Sequence, residues 1–243
     1  MKTVIITGGT KGIGKEIAKI FHKNNYNLVL NYFSDDESAF KLKEELGSNV
    51  FLFKGDISNE QVVEKLLKDT IEQFGTIDVL VNNAGIAIDT TLEDKTVDNF
   101  RRILDVNLIG PFLTSKYIGE YMYENKNGRI INISSTNSID TYYPESMDYD
   151  ASKAGLNVLT KNFANLFAPY VNVNAIACGW VDTDMNKNMD ILYRENEENK
   201  ILLQRFAKPW EIANVVYFLA TDEASYINSS IIRVDGGKNE RNN

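Results

Sequence analysis

Val4-Ile5-Ile6-Thr7-Gly8-Gly9-Thr10-Lys11-Gly12-Ile13-Gly14 opens the chain. Three successive β-branched residues read as a buried strand, and the helical apolar spacing that follows over 15–23 reads as a helix. Between them lie the glycines. In a strand-to-helix turn, glycine lets the chain reverse tightly and lets a pyrophosphate approach the backbone. The helix N-terminus then offers N–H donors and a favourable dipole. The spacing is not G-x-G-x-x-G: the key glycines are Gly8, Gly12 and Gly14, with Thr10, Lys11 and Ile13 in the same turn. Glycine-rich turns are common, so position carries the reading. This one follows the first strand and precedes an amphipathic helix, where a dinucleotide site belongs.

The pattern repeats along the chain. Further strands are expected at 28–30, 50–53, 79–81, 129–133, 171–176 and 230–234, and helices at 38–46, 60–74, 97–120, 149–167 and 210–219. Pro111 is expected to interrupt the helix over 97–120, because proline lacks the N–H that the ladder needs. Strands without polar alternation belong to a parallel sheet covered on both faces. Alternation of strands with helices makes the fold class α/β: a single-domain Rossmann-type doubly wound parallel sheet over 1–243, with helices on both faces. The acidic, Asn-rich stretch at about 184–206 reads as a mobile loop or substrate lid rather than core.

Composition excludes several classes. The 243 residues are 43% hydrophobic and 25% charged, ordinary for a globular protein, and the net charge is -8. A nucleic-acid binder needs a basic face, so none is expected as a partner. No apolar run reaches about 18 residues, so no membrane span is expected. The first residues are too short an apolar run for a signal peptide, and one cysteine, Cys178, allows no internal disulfide. A cytoplasmic setting follows. His22 has neither a second His nor a neighbouring Cys, and no metal site is expected.

The second strand ends Asn31-Tyr32-Phe33-Ser34, where an acid would bond a ribose 2′-hydroxyl. Asp35 and Asp36 come late and suit a helix cap. Lys11 in the turn could meet a 2′-phosphate, although no Arg stands at Phe33, so NADP(H) is favoured and NAD(H) stays open. Asn31 and Ser34 are candidate ribose contacts. Asp56 could accept from an adenine amino group with Ile57 against the ring; equally, Asp56 could be a turn residue. Asn83, Ala84 and Gly85, after Asn82, fall at the carboxyl end of the fourth strand, on the ligand-binding edge of this architecture.

Tyr149 and Lys153 stand four apart, on one face of a helix. A phenol has a pKa of about 10, and an adjacent ammonium favours the phenolate, so the pair could trade a proton with an alcohol or ketone. Spacing alone makes that an accident more often than a site. Taken in order, Thr7-Gly8-x-x-x-Gly12-Ile13-Gly14, Asn82-Asn83-Ala84-Gly85 and Tyr149-x-x-x-Lys153 resemble the short-chain dehydrogenase/reductase family over essentially the whole chain. The resemblance is strongest to the 3-oxoacyl-[acyl-carrier-protein] reductase group.

That resemblance implies hydride transfer between nicotinamide and a carbonyl or secondary alcohol. Tyr149 would be the acid/base, Lys153 its modulator and a ribose contact, and Ser135 the hydroxyl that bonds the reacting oxygen. Asn107 would hold a water beside Lys153. Ser135 lies fourteen residues before Tyr149, one more than the family's usual spacing, which leaves Thr136 as the alternative hydroxyl. Gly179, Val181 and Thr183 match cofactor-contacting positions, and Cys178 replaces the family's Pro. Tyr142, Tyr143, Met147 and Trp180 are candidate pocket-lining residues. An acyl-thioester substrate would make acyl carrier protein a partner, with Lys126 a basic contact, although the charge of -8 opposes docking of an acidic protein. The rival substrates are a small sugar, polyol or steroid-like alcohol. A rival of another class is a non-catalytic dinucleotide-binding regulator. A homotetramer is implied, with Leu156, Leu159 and Phe163 facing either core or partner.

Overall fold

The structure is a computed structural model that describes residues 1–140, 143–187 and 189–238. Its centre is one all-parallel sheet in the order β3-β2-β1-β4-β5-β6-β7. The strands are β1 (Thr3–Ile6), β2 (Asn27–Tyr32), β3 (Val50–Lys54), β4 (Val79–Asn82), β5 (Gly128–Ser135), β6 (Val171–Cys178) and β7 (Ile231–Val234). The helices are α1 (Gly12–Lys23), α2 (Asp36–Leu46), α3 (Glu60–Phe74), α4 (Val97–Leu104), α5 (Gly110–Glu124), α6 (Met147–Leu166), α7 (Ile191–Asn199) and α8 (Pro209–Ala220).

Side chains along a strand alternate between faces, so the apolar runs divide into two cores. Val4, Ile6, Leu28, Leu30, Val81 and Ile131 pack with α1 and α8 through Ile17, Phe21, Ile212 and Val216. Ile5, Val29, Leu80, Ile130 and Val173 face the other way, onto Leu66, Ile118, Met122 and Phe163 of α3, α5 and α6. Leu156 and Phe163 of α6 turn inward, while Val158 and Leu166 of the same helix are exposed. Burial on both faces is why these strands could do without polar residues.

The strand order doubles back between β1 and β4. At such a switch point the two adjacent connections leave in opposite directions and open a crevice at the carboxyl edge. The glycine turn follows β1 and Asn83-Ala84-Gly85 follows β4, so both reach that edge.

Pro111 interrupts the α-helical ladder, as expected, while the chain stays helical. α4 runs into a π-helical turn, Asp105–Ile109, closed by the Gly110 N–H on the Asp105 carbonyl, and α5 continues with Pro111 in its first turn. Proline has no N–H to give, so the widened turn falls where the α ladder lacks a donor. The 184–206 stretch is not a structureless loop: α7 lies within it, capped by Asp190, whose carboxylate accepts from the Tyr193 N–H at 3.0 Å. After α7 the chain pairs with the segment beyond β7, through Leu202 N–H to Gly237 O and Leu203 N–H to Gly236 O.

Candidate active site

The glycine turn is built by contact as well as by torsion. Gly8 has φ +60° and Gly12 φ +50°, both left-handed. A Cβ on Gly14 would stand 2.1 Å from the Gly8 carbonyl oxygen and 2.7 Å from Asn83 Nδ2. Asn83 Nδ2 donates to the carbonyls of Thr7 and Gly8 at 3.0 and 2.9 Å, and Thr7 Oγ1 accepts from the N–H of both Asn83 and Ala84. The end of β4 therefore clamps the turn at the switch point. Lys11, at the N-cap of α1, makes no side-chain bond to the first turn, which leaves that turn's N–H groups to a ligand. A cleft of about 520 Å³ opens here, lined by Gly12, Lys15, Asp182, Thr183, Lys187 and Pro209. A dinucleotide fits this chemistry: a backbone cradle that a side chain would fill, on a helix N-terminus.

The ribose end holds a surprise. Lys11 forms an ion pair with Asp35. Asp35 also caps α2 through the Ser38 N–H at 3.0 Å, and the Lys11 ammonium and that cap hold its carboxyl at about 2. Ser34 is exposed at this rim, whereas Thr10 is buried. Asn31 turns into the sheet, donating to the carbonyls of Phe53 and Gly55, and is a brace rather than a ribose contact. Asp56 accepts from the Ser58 N–H and hydroxyl and pairs with Arg102 at 2.9 Å, the turn arrangement. Ile57 is buried with Val63 and Leu113 instead of lying open for a ring.

Ser135, Tyr149 and Lys153 converge at the carboxyl edge of β5. Ser135 is its last residue, paired in register with Cys178 of β6; Tyr149 and Lys153 lie on successive turns of α6. Lys153 Nζ lies 5.5 Å from the Tyr149 ring centroid and donates to the Ile133 carbonyl at 2.8 Å. Burial leaves Lys153 4% exposed and brings its ammonium down to about 8, with Cys178 acting weakly the other way. Burial likewise pushes the Tyr149 phenol above its usual value, and Cys178 adds to this; the Ser135 hydroxyl lies within hydrogen-bond reach of the phenol. Cys178 is itself buried, its thiol pushed up to about 12 by burial, so it is an inert packing residue. Ser134 faces the Lys153 carbonyl, and Ser135 is the hydroxyl within reach of the Tyr149 phenol.

Asn107 lies in the π turn and is wholly buried. Its amide accepts from the Ile86 N–H at 2.8 Å and donates to the Ile86 carbonyl at 2.9 Å and to Ser152 Oγ at 3.1 Å. The side chain is therefore a clamp on the loop after β4. Its own carbonyl lacks the α-helical donor that Pro111 cannot supply. Gly85 lies alongside: a Cβ there would stand 3.5 Å from Lys153 Nζ and 3.4 Å from Asn107 Oδ1.

Beyond β6, Gly179 is pressed against Asp235, with its N–H on the Val234 carbonyl. Val181 is buried and bridges to Ala207, and Thr183 faces Gly12 across the cleft. Trp180 Nε1 and the Tyr143 hydroxyl donate to Glu197 of α7 at 2.7 and 2.6 Å, and Lys238 reaches the same carboxylate at 3.1 Å. Burial pushes the Glu197 carboxyl up, but bonds from Tyr143, Lys200 and Trp180 outweigh it and hold it at about 2. Met147 is exposed, and Tyr142 lies outside the described residues. Lys126 is misplaced as a rim contact. It precedes β5 while Ser135 ends it, so eight residues, ~26 Å of strand, separate it from the site. Sequence reading missed Glu197 and Lys238, which meet across 41 residues, and Asn137 and Asp150, which sit beside recognised residues without a motif of their own.

Residues 8–239 match the family model described as enoyl-(acyl carrier protein) reductase. The chain belongs to the short-chain dehydrogenase/reductase family. It is an oxidoreductase of that family, acting between alcohol and carbonyl groups. Glucose 1-dehydrogenase 2 of Bacillus subtilis (strain 168) is 35% identical, covering 97% of this chain and 94% of that one. The 3-oxoacyl-[acyl-carrier-protein] reductase of Synechocystis sp. is 36% identical, covering 97% and 96%. The solved structure "ElxO with NADP Bound" superposes with a TM-score of 0.90 at 30% identity, covering 98% of each chain. Among the described residues no helix is long and apolar enough to cross a membrane.

Proposed function

We propose that this short-chain dehydrogenase/reductase moves a hydride between NADP(H) or NAD(H) and a small carbonyl or secondary alcohol, with Tyr149, Ser135 and Lys153 performing the proton chemistry and Asn107 positioning it. The observation that carries the reading is the meeting of those three side chains at the switch-point edge, beside a glycine cradle that a Cβ would fill. When bound, the nicotinamide supplies or takes the hydride. Tyr149 donates a proton to the substrate oxygen in reduction and accepts one in oxidation. Ser135 donates to the same oxygen and stabilises its developing charge. Lys153, still mostly protonated at neutral pH, sets a positive field beside the phenol and holds ribose hydroxyls. Asn107 fixes the loop after β4 and would hold a water beside Lys153. The α7 segment covers the substrate.

At the ribose end, Lys11 and Ser34 would take a 2′-phosphate, but Asp35 shares Lys11 and is itself fixed by its cap. A narrow preference for NADP(H) follows, with NAD(H) accepted. On substrate, the charge of -8 and the distant Lys126 oppose docking of acyl carrier protein, so a free 3-oxoacyl thioester or keto ester fits better. A second reading, a small polyol or sugar, draws support from the polar Tyr143–Glu197–Trp180 wall and from the similarity to a glucose dehydrogenase. The exposed Ile109, Phe112, Val158 and Leu166 on α5, α6 and the turn before them suit a homo-oligomer, in line with a tetramer, and the single cysteine suits the cytoplasm.

Steady-state assays with acetoacetyl-coenzyme A, ethyl acetoacetate, D-glucose and a steroid alcohol, each with both cofactors, test the proposal. Turnover that Tyr149→Phe abolishes supports it; cofactor binding with no turnover across the panel would instead mark a non-catalytic nucleotide-binding protein.

A further inference from the structure

Ser135 does not stand alone at the edge of β5. Its hydroxyl donates to Asn137 Oδ1 at 3.2 Å and accepts from the Asn137 N–H at 3.2 Å. The other end of that amide, Nδ2, donates to Asp150 Oδ1 at 2.7 Å, and Asp150 Oδ2 accepts from the Tyr143 N–H at 3.2 Å. An ionised carboxylate only accepts, so the end of the amide that faces Asp150 must be the NH₂. The oxygen then faces Ser135, and the orientation of Asn137 is imposed by chemistry. A serine hydroxyl has one proton. With that proton on Asn137 Oδ1 and one lone pair receiving the Asn137 N–H, Ser135 has only an acceptor lone pair left to offer Tyr149.

We propose that Asn137, oriented by Asp150, is a positioning residue for hydride transfer: it takes the Ser135 proton in the resting site, so that Ser135 accepts from the Tyr149 O–H and holds the phenol protonated. This rests on the reading of the site given above. A carbonyl oxygen that enters the site offers Ser135 a competing acceptor. The Ser135 proton turns from Asn137 to that oxygen, and the Tyr149 O–H is released to the same oxygen. No atom is lost or gained; two hydrogen bonds are re-aimed, and the proton later transferred comes from Tyr149.

Removing the acceptor frees the Ser135 proton to donate to Tyr149, which favours the phenolate. One such bond is worth a shift of about half to one pH unit. The other groups acting on Tyr149 are Cys178 on β6, Lys153 and Asp150 on α6, and Asp89 in the loop after β4; Asp148 and Asp89 act on Asp150, whose carboxyl burial pushes upward. Of these only Asp150 bonds Asn137, so changing Asn137 acts on Tyr149 through that carboxylate as well as through Ser135.

The test is the pH dependence of kcat/KM for the panel compound that the native protein turns over best. The Tyr149-dependent limb rises with pH for alcohol oxidation and falls for carbonyl reduction. In Asn137→Ala its midpoint moves down by about half to one unit. Asp150→Ala, which lets the amide rotate and present NH₂ to Ser135, moves it the same way, and the double variant moves it no further. Asn137→Asp keeps an acceptor and leaves the midpoint at or above the native value. Thermal melting and cofactor titration check that each variant folds. A profile in Asn137→Ala that superimposes on the native one, or a downward shift in Asn137→Asp, overturns the inference. Should Asn137→Ala melt early, the Asn137→Asp and Asp150→Ala profiles decide in the same way. If Tyr149→Phe is inactive while the Asn137 profiles stay still, only the relay fails; if Tyr149→Phe turns over, or no compound is turned over, the reading of the site falls with it.

Discussion

Gly14→Ala is the substitution whose outcome can be worked most fully from the structure. The added Cβ would stand 2.1 Å from the Gly8 carbonyl oxygen, where a carbon and an oxygen rest about 3.3 Å apart, so the first turn of α1 must retreat by roughly 1 Å. Backbone blocks it on the Gly8 side. On the other side Asn83 Nδ2, at 2.7 Å, yields only by releasing the Thr7 and Gly8 carbonyls. Overpacking of this kind costs about 1–3 kcal/mol, and a buried polar group left without a partner costs about 1–3 kcal/mol. A net loss of ~3 kcal/mol in a chain of this size lowers Tm by about 6–12 °C. The displaced turn carries the N–H groups that would meet a pyrophosphate, so the cofactor Kd should rise about 100-fold, which corresponds to ~3 kcal/mol. Differential scanning calorimetry and fluorescence titration with NADH and NADPH read both effects. Gly75→Ala is the control: φ is +77°, yet nothing lies within 4 Å of its Cβ, so it should lower Tm without touching cofactor binding. A Gly14→Ala protein with native Tm and a Kd within twofold would refute the cradle.

Three further outcomes follow from the same geometry. Lys153 has a folded pKa of about 8 against 10.5 for the free side chain, so folding disfavours its charged form. Below pH 8 the buried ammonium costs about 3 kcal/mol, and the cost fades as pH rises from 8 to 10.5. The stability of the native protein relative to Lys153→Met should accordingly climb across that window in urea melts; a flat difference contradicts the burial account. Asp35→Asn leaves the cap hydrogen bond available but releases Lys11, so the ratio of kcat/KM for NADPH over NADH should rise several-fold, and Lys11→Ala should lower it. Glu197→Ala removes the acceptor shared by Tyr143, Trp180 and Lys238 at the underside of α7, a change in the ~3–5 kcal/mol class for a broken buried ion pair. Limited proteolysis should then cut at 184–200 first, with KM rising more than kcat falls; unchanged cleavage would mean that the cluster does not hold the helix.

What the sequence revealed and what it hid divide along a physical line. Strands such as Val4-Ile5-Ile6 and Val79-Leu80-Val81 were legible because both sheet faces are covered and no polar residue interrupts them. Gly8, Gly12 and Gly14 pointed to a ligand turn through their place between the first strand and the first helix, although the reason for Gly14, contact with the Gly8 carbonyl, needs coordinates. Pro111 marked the interruption between α4 and α5, although the π-helical form of that interruption was not legible. The 184–206 stretch was taken as loop because α7 has few core-facing apolar residues; it is held by Glu197, a charge that reads as solvent-exposed in any sequence window. Asn31 and Ile57 were assigned to cofactor by position, while their side chains point into the sheet and the core. Lys11 was legible as a cation in the glycine turn, but not its pairing with Asp35, which lies 24 residues along the chain.

The central claim is that Tyr149 moves the proton, and single-turnover kinetics of Tyr149→Phe test it most directly. Enzyme preloaded with reduced cofactor is mixed with the best panel carbonyl, and loss of nicotinamide absorbance is followed. The account predicts no hydride transfer above background, with the cofactor Kd unchanged from the native protein. A burst of cofactor oxidation in Tyr149→Phe at a rate near the native one would contradict it.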